Sequence, residues 1–219
     1  FFSDNCNLSS YTTIKVGGVA EYFAEPRSID EFSYLIKWAN LNKQRCQIIG
    51  AGSNLLINNI FIKGLVICTK KLKSLKIEPY SGIVEAEAGV MLPTLSNSLA
   101  KNGLQGGEWA VGIPGTLGGA IYMNAGTGNL SLAKNLISVK VINNKTHEKL
   151  EIKKKDINFE YRYSSFQTND LTIISARFHF KPNGNIKQLI QTTKTNLKFK
   201  TETQPYHHPS FGSVFKNPE

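Results

Sequence analysis

Several features that would mark a familiar class of protein are scarce in this chain. Its 219 residues include only three cysteines, Cys6, Cys46 and Cys68, an odd number without a C-x-x-C pair. This count argues against a disulfide framework and a zinc site, and it favours a reducing, cytoplasmic setting. The apolar runs, such as residues 64–68, fall far short of the ~20 residues that a membrane-spanning helix needs. We therefore expect a soluble protein with no membrane partner.

Arginine is also rare, although the chain is basic. Lys and Arg number 26 against 16 Asp and Glu, a net charge of +10, but only four of the 26 are arginine. The lysines are spread thinly, and the one dense run, residues 153–155, is typical of a solvated face. Nucleic-acid-binding surfaces usually cluster Arg and Lys and interleave aromatic residues. We expect an anionic small molecule rather than a nucleic-acid partner, and a basic nucleic-acid-binding module remains an alternative.

Several motifs of nucleotide and acyl chemistry are missing. Residues 50–56 read G-A-G-S-N-L-L, so Leu55 stands where the dinucleotide-binding fingerprint has its third glycine. Neither G-x-x-x-x-G-K-[ST] nor G-x-S-x-G occurs, and the four histidines lack metal-ligand spacing. These absences argue against a Rossmann protein, a P-loop hydrolase and a serine-hydrolase elbow, and we expect no metal.

The residues that are present predict a folded chain of mixed secondary structure. Apolar residues make up 41% of the chain and charged residues 19%, which is enough apolar surface to offset the entropy of ordering. A helix begins at the capping box of Ser28 and Glu31, which we expect to satisfy each other's backbone donors. Further helices are predicted over residues 92–102, with Gly103 as a left-handed cap, and 186–200. Strands are predicted over residues 46–49, 64–69, 75–77, 83–88, 137–143, 148–152 and 171–181. The mixture lacks regular βαβ alternation and predicts an α+β fold.

Glycine is concentrated in two segments that could bind a ligand through the main chain. Residues 50–56, here called the first glycine segment, follow a predicted buried strand, and their small residues would let N–H groups cradle a phosphate. Residues 112–128, the second glycine segment, hold six of the chain's 18 glycines and read as neither strand nor ordinary helix. Missing side chains would let a flat ligand or a pyrophosphate touch the backbone, and Pro114 stiffens the approach. The plain alternatives are a tight turn and a loop packed against a sheet.

Two further stretches carry residues suited to proton and charge chemistry. Arg162, within residues 160–166, could stabilise a developing oxyanion or enolate. Ser213, on a glycine turn within residues 209–218, could hand over a proton. From residue type alone, the favoured interpretations are a surface ion pair for Arg162 and a turn cap for Ser213.

Taken together and in this order, these four stretches resemble the UDP-N-acetylenolpyruvoylglucosamine reductase family of peptidoglycan precursor synthesis. The opening Tyr11-Thr12-Thr13-Ile14-Lys15-Val16-Gly17-Gly18 is similar to that family's N-terminal signature. The resemblance runs from about residue 8 to the last residue. Another flavin oxidoreductase of the same fold stays open as an alternative.

The resemblance implies an FAD-binding fold of the vanillyl-alcohol oxidase type, made of two α+β subdomains. We expect these at residues 1–69 and 70–185, with the beginning of a substrate-binding domain at 186–219. It also implies FAD as cofactor, NADPH as hydride donor, reduction of UDP-N-acetylglucosamine enolpyruvate to UDP-N-acetylmuramate, and a cytoplasmic monomer. The family's third catalytic residue is a glutamate in its C-terminal part. Because no segment before Glu219 supplies it, we expect a C-terminally truncated chain that is itself inactive.

The resemblance also implies roles for individual residues. Arg162 would stabilise the charge on the enolpyruvyl carboxylate and Ser213 would protonate the enol intermediate, with Tyr161, Arg162, Ser213 and Asn217 binding the substrate. The flavin would contact Gly50, Ala51, Gly52, Ser53, Asn54, Leu55, Pro114, Gly115, Thr116, Gly118, Gly119, Ala120, Asn124, Gly126 and Ile173.

Overall fold

The computed structural model describes residues 2–204 and 207–216, and within these ranges the chain forms thirteen strands and four α-helices. The strands are β1 Ser3–Asn7, β2 Val19–Ala24, β3 Cys46–Ile49, β4 Phe61–Cys68, β5 Leu75–Glu78, β6 Ile83–Glu87, β7 Gly126–Thr127, β8 Leu130–Ser131, β9 Leu136–Asn143, β10 Lys149–Lys153, β11 Phe159–Glu160, β12 Tyr163–Ser164 and β13 Leu171–His179. The helices are α1 Ile29–Leu41, α2 Leu92–Lys101, α3 Leu117–Tyr122 and α4 Ile186–Thr203.

The first sheet is mixed and has the strand order β1-β2-β4-β3. Strands β2 and β3 both run parallel to β4, whereas β1 is antiparallel to β2. Helix α1 connects β2 to β3 and buries Phe32, Leu35 and Ile36. Because the carboxyl ends of β2, β3 and β4 meet at one edge, the first glycine segment leaves the sheet where open α/β sheets commonly bind ligands.

The expectation that β3 is a buried strand was wrong. Gln47 and Ile48 are exposed, and only Ile49 at the end of the strand is buried. The reason is the strand order, because β3 is the edge strand of its sheet and has a neighbour on one side only. A short apolar run does not reveal whether a strand lies at the edge or the centre.

The start of helix α1 agrees in part with the predicted capping box. The Ser28 hydroxyl accepts a hydrogen bond from the Glu31 backbone N–H at 3.1 Å, as expected for an N-cap serine. The Glu31 carboxylate, however, accepts from the backbone N–H of Arg27 at 2.7 Å rather than from that of Ser28. The glutamate therefore fixes the residue before the cap, and the helix begins where the sequence predicts.

The second sheet is antiparallel throughout and has the order β10-β9-β13-β6-β5. The predicted hairpin of β9 and β10 is present, and so is the long strand β13 at the centre of the sheet. Val84, Val139 and Phe178 are fully buried in the larger hydrophobic core, which α2 and α3 help to form through Leu92, Leu95, Leu99, Leu117 and Ile121. The α+β prediction is confirmed.

The stretch between Gly103 and Gly128 is more regular than its composition suggests. Gly103 has φ +68, as predicted for a left-handed cap. Glu108–Gly112 forms a 3-10 turn, and Leu117–Tyr122 forms the short helix α3. The prediction of no helix here was wrong because Leu117, Ala120 and Ile121 recur at helical spacing and are buried, which outweighs the low helix propensity of the glycines.

The two sheets share a core through helix α1. Ile142 of β9 and Ile174 of β13 belong to the same buried cluster as Phe32 and Leu35, and Lys149 pairs with Asp30 at 2.7 Å. Helix α4 packs against α2 and against the 3-10 turn Glu108–Gly112. There the Asn196 side chain donates to the Glu108 carbonyl at 3.1 Å. Within the residues that the structure describes, no helix is both long and apolar enough to cross a membrane.

Candidate active site

The structure brings the two glycine segments into direct contact. A Cβ added at Gly50 would overlap the hydroxyl oxygen of Thr116, so this position accepts only glycine without rearrangement. The Ser53 hydroxyl donates to the Pro114 carbonyl at 3.0 Å, and a Cβ at Gly115 would meet the Ser53 oxygen at 3.1 Å. Residues more than 60 positions apart in the chain thus line one site.

The N-terminal motif forms the outer support of the first glycine segment. Gly52 has φ +64, and a Cβ there would overlap the Tyr11 carbonyl oxygen. The Thr13 backbone N–H donates to the Gly52 carbonyl at 3.2 Å. The Thr12 hydroxyl turns inward and donates to the Val16 carbonyl at 2.8 Å. The motif therefore presses its backbone against the glycine loop, which explains why the loop carries no side chain at Gly52.

The second glycine segment is hydrogen-bonded to residues that follow β6, and one of its glycines, Gly119, faces open space. The backbone N–H groups of Leu117 and Gly118 donate to Val90 and Ala88 carbonyls, each at 2.8 Å. Gly119, by contrast, is exposed, and a Cβ there would have only the Thr116 hydroxyl within 4 Å, at 3.6 Å. The protein's own atoms therefore do not explain why position 119 is glycine.

The second glycine segment contains two buried polar atoms, Thr116 Oγ1 and Asn124 Oδ1, that have no partner among the described residues. Thr116 is 2% exposed, and Asn124 has φ +43 while its side-chain amide donates to the Glu160 carbonyl at 2.8 Å. A buried hydroxyl or amide oxygen without a partner costs about 1–3 kcal/mol. Both atoms are expected to gain a partner when a ligand binds.

Arg162 lies in the two-residue turn between β11 and β12 in a left-handed conformation, φ +57. A left-handed backbone costs a non-glycine residue about 1–2 kcal/mol, and such strain is often found at functional sites. The guanidinium donates to the Gly126 carbonyl at 3.3 Å and stacks 4.9 Å from the centre of the half-exposed Tyr161 ring. Arg162 is thereby joined to the second glycine segment, with its side chain incompletely buried.

Side chains that the sequence analysis did not single out hold this turn in place. The Ser164 hydroxyl and the Gln167 amide donate to the same Tyr122 carbonyl at the end of α3, at 2.7 and 2.9 Å. Gln167 also donates to the Arg162 carbonyl at 3.3 Å. Their acceptor on Tyr122 lies more than 40 residues away in sequence, so no local pattern signals these contacts.

Ser213 is exposed and lies beside the first glycine segment. The Asn54 side-chain amide donates to the carbonyls of Phe211 and Ser213 at 2.9 and 3.3 Å, and Gly212 between them has φ +76. Asn217, the other predicted substrate-binding residue of this stretch, lies outside the described residues.

Ile173 is also found near the glycine segments, but inside the core. It is 6% exposed and belongs to the same buried cluster as Leu117 and Ala120. Leu55, in contrast, is 37% exposed. No group of three or more His, Cys, Asp or Glu side chains that could hold a metal ion occurs in residues 2–204 and 207–216.

The thiols and the tyrosine around the first glycine segment remain protonated at neutral pH. Burial raises the pKa of the Cys68 thiol, which donates to the Gly50 carbonyl at 3.5 Å. Burial also raises the pKa of Cys46 to about 12, and burial followed by the charge of Glu25 raises the pKa of Tyr11. Cys68 and Tyr11 contact the segment as neutral residues, whereas Cys46 packs against the core beneath α1. Neither thiol offers a thiolate nucleophile.

A comparison with protein families identifies the class of protein. A family model described as an FAD binding domain matches residues 20–148. A glucose oxidase variant of Phl p 4 superposes with a TM-score of 0.60 at 13% identity over 80% of this chain and 39% of its own. An alkyldihydroxyacetonephosphate synthase gives 0.59 at 18% identity, over 77% of this chain and 32% of its own. At these identities the likeness shows the fold alone, which is the FAD-binding fold of the vanillyl-alcohol oxidase type.

Sequence relatives define the family more narrowly. The UDP-N-acetylenolpyruvoylglucosamine reductase of Prochlorococcus marinus subsp. pastoris is 70% identical over 217 residues, 99% of this chain and 73% of that protein. The enzyme of that name from P. marinus strain NATL2A is 46% identical over 98% of this chain and 73% of its own length. The crystal structure of the reductase from Thermus caldophilus superposes with a TM-score of 0.80 at 28% identity, over all of this chain and 76% of its own.

The chain belongs to the UDP-N-acetylenolpyruvoylglucosamine reductase family. Members of this family are FAD-dependent oxidoreductases of peptidoglycan precursor synthesis that use NADPH. The expectations that the resemblance implied for fold, cofactors and reaction are confirmed.

Proposed function

We propose that this chain holds FAD between its two glycine segments, and that Arg162 and Ser213 act in the reduction of a UDP-linked enolpyruvyl sugar by the full-length protein. The observation that carries the proposal is that Thr116 Oγ1 and Asn124 Oδ1 are buried without a partner among the described residues, in the segment that also holds the open Gly119. FAD offers ribityl hydroxyls, a flavin N–H and phosphate oxygens, so it can satisfy both atoms. A flat ring or a pyrophosphate can approach Gly119 because no protein atom fills that space.

The proposal assigns the remaining cofactor contacts to residues 50–55 and 114–126, with Ile173 behind α3. Bound FAD would supply hydride transfer, from NADPH to one carbon of the enolpyruvyl double bond. This addition leaves a negative charge that must be stabilised and a carbon that must be protonated. The chain's own residues carry out both tasks.

Arg162 is proposed to stabilise the developing charge. Hydride addition to the double bond sends an electron pair into the adjacent carboxylate, so the carboxylate gains charge in the transition state. A guanidinium that the turn and Gly126 already hold in place needs no reorganisation when that charge appears. Since the attraction is stronger in the transition state than in the ground state, it accelerates the reaction. Tyr161, which stacks under the guanidinium, is proposed to bind the substrate with it.

Ser213 is proposed to supply the proton. The carbon next to the site of hydride addition carries the electron pair, and transfer of the Ser213 hydroxyl proton to it completes the reduction, leaving an alkoxide that solvent reprotonates. The exposed position of Ser213 gives solvent that access. Asn217 is proposed to lie against the substrate, and the net charge of +10 suits a substrate with several negative charges.

We extend the proposal to a cytoplasmic monomer with the domain limits predicted above. The free state of all three cysteines supports the cytoplasmic part of this proposal, because it suits a reducing compartment. Size-exclusion chromatography with light scattering measures the oligomeric state, and a dimer mass would contradict this part of the proposal.

The two half-reactions, followed separately by stopped-flow absorbance of the flavin in the full-length protein, test the residue roles. Ser213→Ala should leave flavin reduction by NADPH unchanged and slow flavin reoxidation by the enolpyruvyl substrate about 10²–10⁴-fold. Arg162→Met should slow reoxidation about 10²–10³-fold. Thr201→Val, which removes an exposed hydroxyl bonded within α4, serves as a control. Reoxidation of Ser213→Ala at the wild-type rate would contradict the role of Ser213.

A further inference from the structure

The N-terminal motif of residues 11–18 has no task in the proposed chemistry, yet Thr13 lies where three distant segments meet. Its hydroxyl donates to the Ser210 carbonyl at 2.5 Å and lies 3.4 Å from the Gly52 carbonyl. Its backbone carbonyl accepts from the Ser210 N–H at 3.3 Å, and its own N–H donates to Gly52 at 3.2 Å. Thr13 therefore joins the first glycine segment to the stretch that carries Ser213.

Asn54, which belongs to the first glycine segment, also binds the stretch that carries Ser213. Its amide donates to the carbonyls of Phe211 and Ser213 at 2.9 and 3.3 Å. Together, Thr13 and Asn54 bind three of the four carbonyls between residues 210 and 213. This stretch belongs to no helix or strand, and it is exposed apart from the half-buried Phe211. Its position therefore depends on these side-chain hydrogen bonds and on the single backbone bond from Ser210 to Thr13, rather than on the ladder of a β-sheet.

The two adjacent threonines of the motif have different tasks. Thr12 is 6% exposed, and its hydroxyl bonds within the motif, to the Val16 carbonyl at 2.8 Å. Thr13 turns its hydroxyl outward, to Ser210. One hydroxyl stabilises the motif itself, and the other reaches a segment almost 200 residues away.

We propose that Thr13 is a positioning residue that, with Asn54, holds residues 210–213 against the first glycine segment and so fixes Ser213 for proton transfer. The inference rests on the proposed role of Ser213. Proton transfer requires the donor oxygen at a defined distance from the receiving carbon, and a misplaced donor slows this step without affecting hydride transfer from NADPH.

The test compares Thr13→Val with Thr12→Val in the full-length, FAD-loaded protein. Thr13→Val keeps the shape of the side chain and the backbone bonds but removes the donor to Ser210. It should slow flavin reoxidation by the enolpyruvyl substrate about tenfold, the worth of one well-placed hydrogen bond. Flavin content and flavin reduction by NADPH should be unchanged. Thr12→Val should lower the melting temperature and leave both half-reactions at wild-type rates.

Two further measurements separate positioning from a general structural effect. Added to Ser213→Ala, Thr13→Val should slow reoxidation no further, because the group that it positions is gone. Hydrogen exchange of the peptide covering residues 208–216 should be faster in Thr13→Val than in Thr12→Val.

The outcomes distinguish this inference from the proposed function. If Ser213→Ala is slow but Thr13→Val reoxidises at the wild-type rate, the inference is overturned and the role of Ser213 stands. Unchanged exchange in residues 208–216, or an additive double variant, also overturns it. If Ser213→Ala is itself fast, the proposed role of Ser213 fails, and positioning by Thr13 fails with it.

Discussion

The two glycine segments meet in one site, but Gly119 of the second segment differs from the glycines of the first. In the first segment, a Cβ at Gly50 or Gly52 would overlap the protein's own atoms, Thr116 Oγ1 and the Tyr11 carbonyl oxygen respectively. In the second segment, Gly119 faces open space, and a Cβ added there would lie 3.6 Å from the Thr116 hydroxyl oxygen. Packing therefore requires glycine at positions 50 and 52, whereas the described residues do not require it at position 119. We propose that a ligand does.

This difference shows that glycine enrichment alone does not identify a ligand contact. A glycine required by packing affects the stability of the protein without cofactor. A glycine required by a ligand affects affinity and leaves that stability unchanged. Substitution by alanine separates the two, and the expected effects differ in kind as well as in size.

The largest effect on folding is expected for Gly52→Ala. The substituted residue would have to adopt φ +64 and overlap the Tyr11 carbonyl, so the FAD-free chain should lose about 3 kcal/mol of unfolding free energy. Denaturant unfolding of the FAD-free chain measures this loss.

Gly128→Ala provides the matched control. Gly128 has a similar φ of +54 but no atom within 4 Å of an added Cβ, so this variant should lose only about 1 kcal/mol. Equal losses in the two variants would show that the contact with the N-terminal motif is not what requires glycine at position 52.

Gly119→Ala should act mainly on the cofactor. Position 119 lies in helix α3, where alanine is favoured over glycine by up to about 1 kcal/mol, so the FAD-free chain should be as stable as the wild type or slightly more so. Affinity for FAD should fall about 10–100-fold because the methyl group occupies the space proposed for the ligand. A fluorescence titration of free FAD measures the affinity, and wild-type affinity would place the flavin elsewhere.

Thr116→Val should have the smallest effects, and they should have opposite signs. The variant removes a buried hydroxyl without a partner among the described residues, so the FAD-free chain should gain about 1 kcal/mol of stability. FAD affinity should fall about tenfold because a hydrogen bond to the cofactor is lost. A gain in stability without loss of affinity would show that Thr116 does not contact FAD.

Much of the fold could be predicted from local sequence. The N-cap serine of α1, the left-handed Gly103 and the long strand β13 depend on residues close in sequence, and the structure confirms all three. The edge position of β3 could not be predicted, because strand order depends on pairing between distant segments. Helix α3 was missed since the low helix propensity of its glycines hid a short apolar repeat.

For the candidate site, too, the sequence indicates some residues and only the structure reveals others. The two glycine segments stand out by composition, and Arg162 and Ser213 stand out through the family resemblance of the stretches that hold them. The groups that hold them do not, because Gln167 and Thr13 act through carbonyls that lie 45 and 197 residues away in sequence. Common polar residues of this kind carry no local signal, and only the folded chain reveals their partners.

The most direct test of the account is the visible absorption spectrum of the wild-type chain and of Gly119→Ala, each mixed with FAD and then freed of unbound cofactor. The account predicts a flavin band of about one FAD per chain in the wild type and a strongly reduced band in the variant. No band in the wild type, or equal bands in the two proteins, would contradict the claim that FAD lies between the glycine segments.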